Sequence, residues 1–492
     1  MLIADKADQS FNAQSTVAKQ EGQHMRTFLP LHAEDPMATL CRMALEITYD
    51  DLPETVLRHT RHTLLDAMAV TIGGSGMEGI PAIVDLVKEK GGAPQTALPF
   101  YGGRVPAAEA ALALGPMPRA MDCGDLHEEA GHISEYVVTS LLAATGLTGP
   151  VSGREFLVAM AVGQEILVRI GSAYKVINRA IKAHDCGGHY IFGAVAAVGR
   201  LIGLSQEQLE HAQGIARTMT QPHTMSIYAP ATLMVRVHHG LVCQAAITAC
   251  QLAQRGITGP RQEVLAGAKG FLATARWETE PQWLTEGLGE QWKLEQIITK
   301  GYSACYFSHS SIDGIREQIH THGFSAADID RIDISVSTPG WRAVCEPVEK
   351  KWHPRTVPEC QFSLPYAVAS AAFDDKVFVE SYTAQARERP EVRELMTRIS
   401  AVEDPSIPDW GARLSTRLRD GRVLEAAYTY VKGHPCNPFS EQDFIDKFRL
   451  CVPYSVLPLS DSVADTMIGN VLALERFDDV VPVLIDPLLP EN

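Results

Sequence analysis

The ten cysteines of this chain include no Cys-x-x-Cys pair, so the spacings of zinc ribbons and thioredoxin-like redox centres are missing. Their scattered positions suit reduced thiols, and a cytoplasmic protein is the expectation. The glycine pairs Gly73-Gly74, Gly91-Gly92 and Gly102-Gly103 are read as neither a dinucleotide fingerprint nor a P-loop, and no nucleotide is expected. Positive charge is scarce. Lys and Arg number 43 against 59 Asp and Glu, a formal net charge of −16. That argues against nucleic acid and anionic membranes as partners, while leaving room for a small anionic ligand in a local cationic pocket. No apolar window is read as reaching the ~18 residues of a membrane span, since runs such as Leu141 to Leu147 are short and broken by Gly146. The first stretch, 1–36, is polar and lacks the apolar region of a secretory signal. Met25 within it is a possible native start.

What is present is a helical period from about Met37 to Glu295. Asp51-Leu52-Pro53-Glu54 reads as a helix start with Asp51 as N-cap, running to Ile72 and stopped by Gly73-Gly74. Ser152-Gly153-Arg154-Glu155 and Ser205-Gln206-Glu207-Gln208 read as capping boxes that open helices through Val168 and Ile215. The Ala, Gly and Val in Gly193–Gly203 and His239–Arg255 suit closely approaching helices. The texture changes near Lys300. Ile329 to Val336 alternates like a strand, and Leu414–Arg419, Asp420-Gly421 and Arg422–Val431 read as a hairpin with its turn. Ser363–Phe373, Pro390–Ile399 and the tail Ser440–Asp478 read as helical. The expected fold is therefore mainly α with an α+β module.

The most informative stretch is Ala120 to His132, a Gly-containing loop with Asp122, Asp125, His127, Glu128, Glu129 and His132. Ionisable residues on a loop that runs into a helix suit acid–base chemistry and anion binding at the helix N-terminus. The alternative is that the acids cap helices and the histidines are ordinary loop residues. A second such loop holds His184, Asp185, Cys186 and His189. It reads as a catalytic histidine, a structural one, or a metal site, although the spacing matches no standard zinc pattern. Arg236, His238 and His239 precede a small-residue helix, either as the cationic edge of an anion site or as surface residues. Lys300 and Tyr302 mark the junction of the two textures, where ligand pockets tend to form. Cys305 nearby has no neighbour in sequence that would activate it as a nucleophile.

These blocks, taken in order, resemble the MmgE/PrpD family, which includes 2-methylcitrate dehydratase, cis-aconitate decarboxylase and iminodisuccinate epimerase. The resemblance rests on Leu65-Asp66, the Asp122 loop, Gly163-Gln164-Glu165 through Arg169-Ile170-Gly171, and His184 ahead of Gly193-Ala194. Lys300-Gly301-Tyr302 with Cys305 and His309, and Gln361 to Tyr366, complete it. It implies a large helical domain, 37–295 with 436–492, and a smaller α/β lid, 296–435, inserted between its parts. It also implies a homodimer without cofactor or metal, with a cleft for a small di- or tricarboxylic acid. Asp122, Asp125, His132, His184 and Lys300 match family positions. The departures are Leu126 for a threonine, Gly124 for one acid of a pair, and Val235 for a pocket lysine, with Arg236 beside it.

The family's shared chemistry is proton transfer at a carbon next to a carboxylate. The resemblance therefore implies Asp122 and His132 in acid–base work, with His184 orienting the substrate or giving it a proton. Asp125, Arg236, His239, Lys300 and Tyr302 are then the substrate-binding residues. The leading expectation is a hydro-lyase like 2-methylcitrate dehydratase, with a place in propionate catabolism. The alternatives are a decarboxylase or epimerase of a related acid, or a non-catalytic carboxylate-binding member.

Overall fold

In the computed structural model, residues 35–491 are described, apart from 187, 221–222, 225–230 and 375. Most of the polar stretch 1–36 thus lies outside the described residues. The helices used below are α1 (Glu54–Gly74), α2 (Ser134–Ala144), α3 (Gly153–Tyr174), α4 (Tyr190–Leu201), α5 (Gln206–Met219) and α6 (Met234–Gln254). Further along are α7 (His309–His322), α8 (Leu364–Phe373), α9 (Pro390–Met396), α10 (Glu441–Cys451) and α11 (Asp461–Leu472). Helices α2, α3 and α4 are buried along nearly their whole length, because small residues let neighbouring helices enclose them on every side.

Local signals place these helices well, with instructive exceptions. Ser205 and Gln208 form the full capping box of α5. Ser152 accepts from the Glu155 amide at 3.2 Å, but the Glu155 carboxylate turns to Arg200 at 2.7 Å instead of back to the cap. Asp51 does not cap α1. It closes a 3-10 turn, Tyr49–Asp51, with Thr48, and Pro53 stands at the N-cap. Gly73-Gly74 does not stop α1 either, since the helix includes both. A Cβ on Gly74 would lie 1.8 Å from the Met117 carbonyl oxygen, so this glycine serves close packing. The run Gly74-Ser75-Gly76-Met77-Glu78-Gly79 does carry Gly-x-Gly-x-x-Gly spacing, contrary to the expectation above. It leaves a helix instead of a strand, and so lacks the βα context that binds dinucleotides.

The α+β module is a four-stranded sheet of β1 (Ile329–Val336), β2 (Ile399–Glu403), β3 (Ala412–Leu418) and β4 (Val423–Tyr428) in the order β4-β3-β1-β2. Strands β3 and β4 form the expected hairpin around Asp420-Gly421, with Arg417 opposite Val423. Ile399 was expected to end a helix. It opens β2 and pairs in parallel with Ile332, because strand pairing overrides a short helical pattern. Helix α7 packs on β3 and β4. The tail helix α10 returns to α1, where Lys447 meets Asp66 at 2.5 Å and donates to the Cys123 carbonyl at 2.6 Å.

One helical stretch, Gly153–Ala180, is long and apolar enough to cross a membrane by length and composition, which corrects the expectation that none is. All of its most apolar window is buried inside the protein. It joins α3 to a π-helical turn, Val176–Ala180, the first of two such turns that matter for the site.

Candidate functional site

Asp122 follows the short helix Pro116–Ala120 and takes a left-handed conformation, φ 49°, which is uncommon for a residue with a side chain. Arg119, three residues earlier, donates to its Oδ1. The next segment, Leu126–His127, pairs antiparallel with Ile297–Ile298. That pairing brings Lys300 to the same carboxylate, with Nζ 2.9 Å from Oδ1 and 3.3 Å from the Asp122 carbonyl oxygen. Ser303 and Gln361 donate to the Met121 carbonyl and pin the loop. All three charged side chains are almost fully enclosed. Burial disfavours the ionised carboxylate, but Arg119 and Lys300 outweigh it and hold the Asp122 carboxyl below its usual range. The cluster thus carries two cations and one anion.

His132 follows on the same loop. Its Nδ1 donates to the Asp125 carbonyl at 3.1 Å, because a carbonyl can only accept, so in the neutral ring Nε2 holds the lone pair. Burial, then the nearby Arg119, Lys300 and His239, push this imidazole well below its ordinary value. At rest it is a neutral base.

Asp125 has a different task from the one expected. Its Oδ1 accepts from the Ser134 amide at 2.9 Å and its Oδ2 from the Ser134 hydroxyl. Gln164 supports that hydroxyl at 2.7 Å. The N-terminus of α2 is therefore served by the protein's own carboxylate instead of an incoming anion. Burial, with Asp66 adding to it, raises Asp125 to about 7. Glu135, one residue further, is raised to about 7, chiefly by burial. Its Oε2 lies 3.1 Å from His239 Nδ1 and 3.6 Å from His132 Nδ1.

A cavity of about 600 Å3, counting its mouth, opens beside these groups. Arg119, Asp122, His132 and Lys300 line its charged part. Val176, Ile177, Ile181, Phe307, Phe362 and Trp410 also line it. Val176 and Ile177 belong to the π-helical turn Val176–Ala180, and Ala343, also lining, to a second one, Trp341–Cys345. Single π turns inside helical segments recur at functional sites. Tyr306 also lines the cavity, and its hydroxyl has no hydrogen-bond partner among the described residues. Cys305 lines it too, but burial pushes the thiol up to about 11. It is a neutral thiol, and nothing makes it a nucleophile.

Several expected site residues stand elsewhere. His184 is exposed and accepts from Arg342 Nη1. Its loop carries it past Ile181 and out of the cavity. Tyr302 donates its hydroxyl to Asp313 and accepts from Arg316 at 2.8 Å, so its polar end is committed within the α7 region. Arg236 donates to the Glu78 carbonyl at 2.7 Å, and burial lowers it to about 10. His239 stacks on Tyr136 at 4.1 Å and meets His132 edge-on at 5.6 Å, behind the cavity wall instead of on it. Val235 is buried and also off the cavity. The two histidines of the second loop diverge, since His189 bonds the Ala130 carbonyl at 2.8 Å. The side chains of Asp185 and Cys186 lie outside what is described. Among the described residues no group of three or more His, Cys, Asp or Glu is placed to hold a metal ion.

Arg119 and Glu135 were missed from sequence. Arg119 sits at the i,i+3 spacing of an ion pair with Asp122. Glu135 is the charged residue of an otherwise uncharged helix. Both signals were present.

Two family models match the chain: the MmgE/PrpD N-terminal domain over residues 38–283 and the MmgE/PrpD C-terminal domain over residues 302–467. The chain is similar to the cis-aconitate decarboxylase-like protein oryM of Aspergillus oryzae, 25% identical across 91% of this chain and 96% of the relative. It is 24% identical to the cis-aconitate decarboxylase of Aspergillus terreus, across 90% and 94% of the two chains. It is 26% identical to that of Mus musculus, across 87% and 88%. With both halves of the architecture matched in order, the chain belongs to the MmgE/PrpD family.

Proposed function

We propose that this protein is a carboxy-lyase that removes CO2 from a small unsaturated carboxylic acid. The observation that carries the reading is similarity along almost the whole chain to cis-aconitate decarboxylases. It moves the decarboxylase alternative ahead of 2-methylcitrate dehydratase-like dehydration. The site's chemistry supports it. Arg119 and Lys300, held together by ionised Asp122, place two cationic side chains at the cavity for the carboxylate that is retained. His132 offers a basic Nε2 at the cavity.

Decarboxylation breaks the bond from carbon to the leaving carboxylate. The electron pair shifts along the conjugated system to a neighbouring carbon, which must then take a proton. Binding an anion beside His132 raises the proton affinity of the ring, so His132 takes a proton from solvent at the mouth. It delivers that proton to carbon as CO2 departs. With the proton transferred the ring is neutral again, and one proton drawn from solvent is consumed per turnover.

The test is proton NMR in D2O with CO2 detection on cis-aconitate and related unsaturated acids. CO2 release with one deuterium placed on carbon supports the reading. A new hydroxyl-bearing product, or water loss from a hydroxy acid without CO2, overturns it in favour of hydro-lyase chemistry.

A further inference from the structure

We infer that Glu135 is a positioning residue for His132: its carboxylate accepts from Nδ1–H when the ring is protonated and supplies the counter-charge that lets the imidazolium form. The inference rests on the reading above for the proton that His132 carries.

Geometry is the first argument. Glu135 is buried and does not line the cavity, so it reaches the reacting atoms only through another group. Its Oε2 lies 3.6 Å from His132 Nδ1 and 3.1 Å from His239 Nδ1. Of these two histidines, His132 is the one that lines the cavity. Neither oxygen of Glu135 has a hydrogen-bond partner among the described residues. Buried polar atoms seldom stay unpaired, and a catalytic site is one place where they do.

Charge is the second argument. Burial opposes a proton on His132, and Arg119, Lys300 and His239 oppose it further. An imidazolium there needs an anion beside it. Asp122 is bonded by Arg119 and Lys300, and the Asp125 carboxyl by Ser134. Glu135 is the acid beside the ring whose oxygens are not so engaged. Burial and Asp122 oppose its ionised form, while Arg119, Lys300 and Lys447 favour it. In turn it bears on Asp66, Asp125 and Cys243. A carboxylate a few ångströms from an imidazole raises the proton affinity of the ring.

The protons balance. Below about pH 7 the resting Glu135 carboxyl is protonated and His132 is neutral. Nδ1 already carries a hydrogen, so no proton passes directly between the two. Glu135 gives its proton to solvent as His132 Nε2 takes one, and the pair holds the same number of protons. Once Nε2 has delivered to carbon, Glu135 regains a proton from solvent.

The experiment is NMR of the ligand-free full chain with 15N-labelled histidine. Wild type is compared with Glu135→Gln, and His132→Gln identifies the His132 signal. At pH 9 the His132 Nδ1–H proton should lie downfield of its position in Glu135→Gln. The difference should fade below about pH 7 as Glu135 takes its proton. Equal positions at pH 9 overturn the inference, as does a difference confined to His239. CO2 release from cis-aconitate gives the second readout. Glu135→Gln should lower kcat about tenfold or more, change KM less, and move the alkaline limb of kcat to lower pH by about one pH unit or more. A lower kcat with the limb unmoved shows a packing role and overturns the inference. The two claims fail separately. A downfield Nδ1–H without CO2 removes the decarboxylase reading and leaves the pairing of Glu135 with His132. CO2 with equal Nδ1–H positions does the reverse.

Discussion

A Cβ placed on Gly124 would lie 2.0 Å from Oε1 of Glu135. Gly124 has no left-handed φ to explain it, so its glycine is needed for space. The family resemblance puts an acid at this position. Here the Glu135 carboxylate, reaching from α2, occupies the room that a side chain at 124 would take, beside His132 and His239. The two positions are therefore coupled. Gly124→Asp and Glu135→Gly should each cut turnover at least tenfold, by overpacking in the first and by an emptied, unbalanced site in the second. The double variant should recover much of it. A double-mutant cycle on kcat/KM and on unfolding free energy measures the coupling, and additive losses would show that the carboxylates do not exchange places.

Asp122→Asn removes the anion between two buried cations. Losing the carboxylate that both contact should destabilise the fold by about 3 kcal/mol or more, with a large loss of activity, read by denaturant unfolding and CO2 release together. Retained stability would mean that solvent already screens the cluster.

His132→Ala should lower kcat by roughly 10²–10⁴ if the ring moves the proton. His184→Ala should cost less than about tenfold, since the residue stands outside the cavity. Comparable losses would mean that His184 enters the site when substrate binds.

Asp125 acts as a helix cap. Asp125→Ala should reduce stability by about 1–2 kcal/mol and lower kcat through a misplaced His132, with KM changed little. A rise in KM with kcat preserved would restore it as a substrate ligand.

Glu135 makes a pH prediction with a definite sign. Its folded-state value, raised to about 7 by burial, lies above that of an unfolded glutamate. Between about pH 4.5 and 7 the unfolded chain has lost this proton while the folded protein keeps it, so this group's contribution to stability falls as pH rises. Glu135→Gln lacks that dependence. Its melting temperature relative to wild type should be higher at pH 8 than at pH 5, with the change spread over that window. A constant difference across the window would place the Glu135 carboxyl near its ordinary value.

The sequence by itself determined the order of helices, the hairpin at Asp420-Gly421 and the reactive loop with Asp122, His132 and, downstream, Lys300. These depend on local periodicity, turn chemistry and motif order, all of which act over a few residues. Tertiary structure decided which of those residues share a cavity. Pairing of Leu126–His127 with Ile297–Ile298 brings Lys300 to Asp122. The same packing turns Asp125 onto Ser134 and Arg236 onto Glu78, and it puts Tyr302 against Asp313. In sequence these polar residues look alike. Each satisfies its hydrogen bonds with whatever partner the folded chain supplies, and that choice spans distances no local pattern encodes. The apolar wall of Val176, Ile177, Phe307 and Trp410 was invisible for the same reason: core and pocket surfaces are made of the same residue types, and only the packing leaves one of them open.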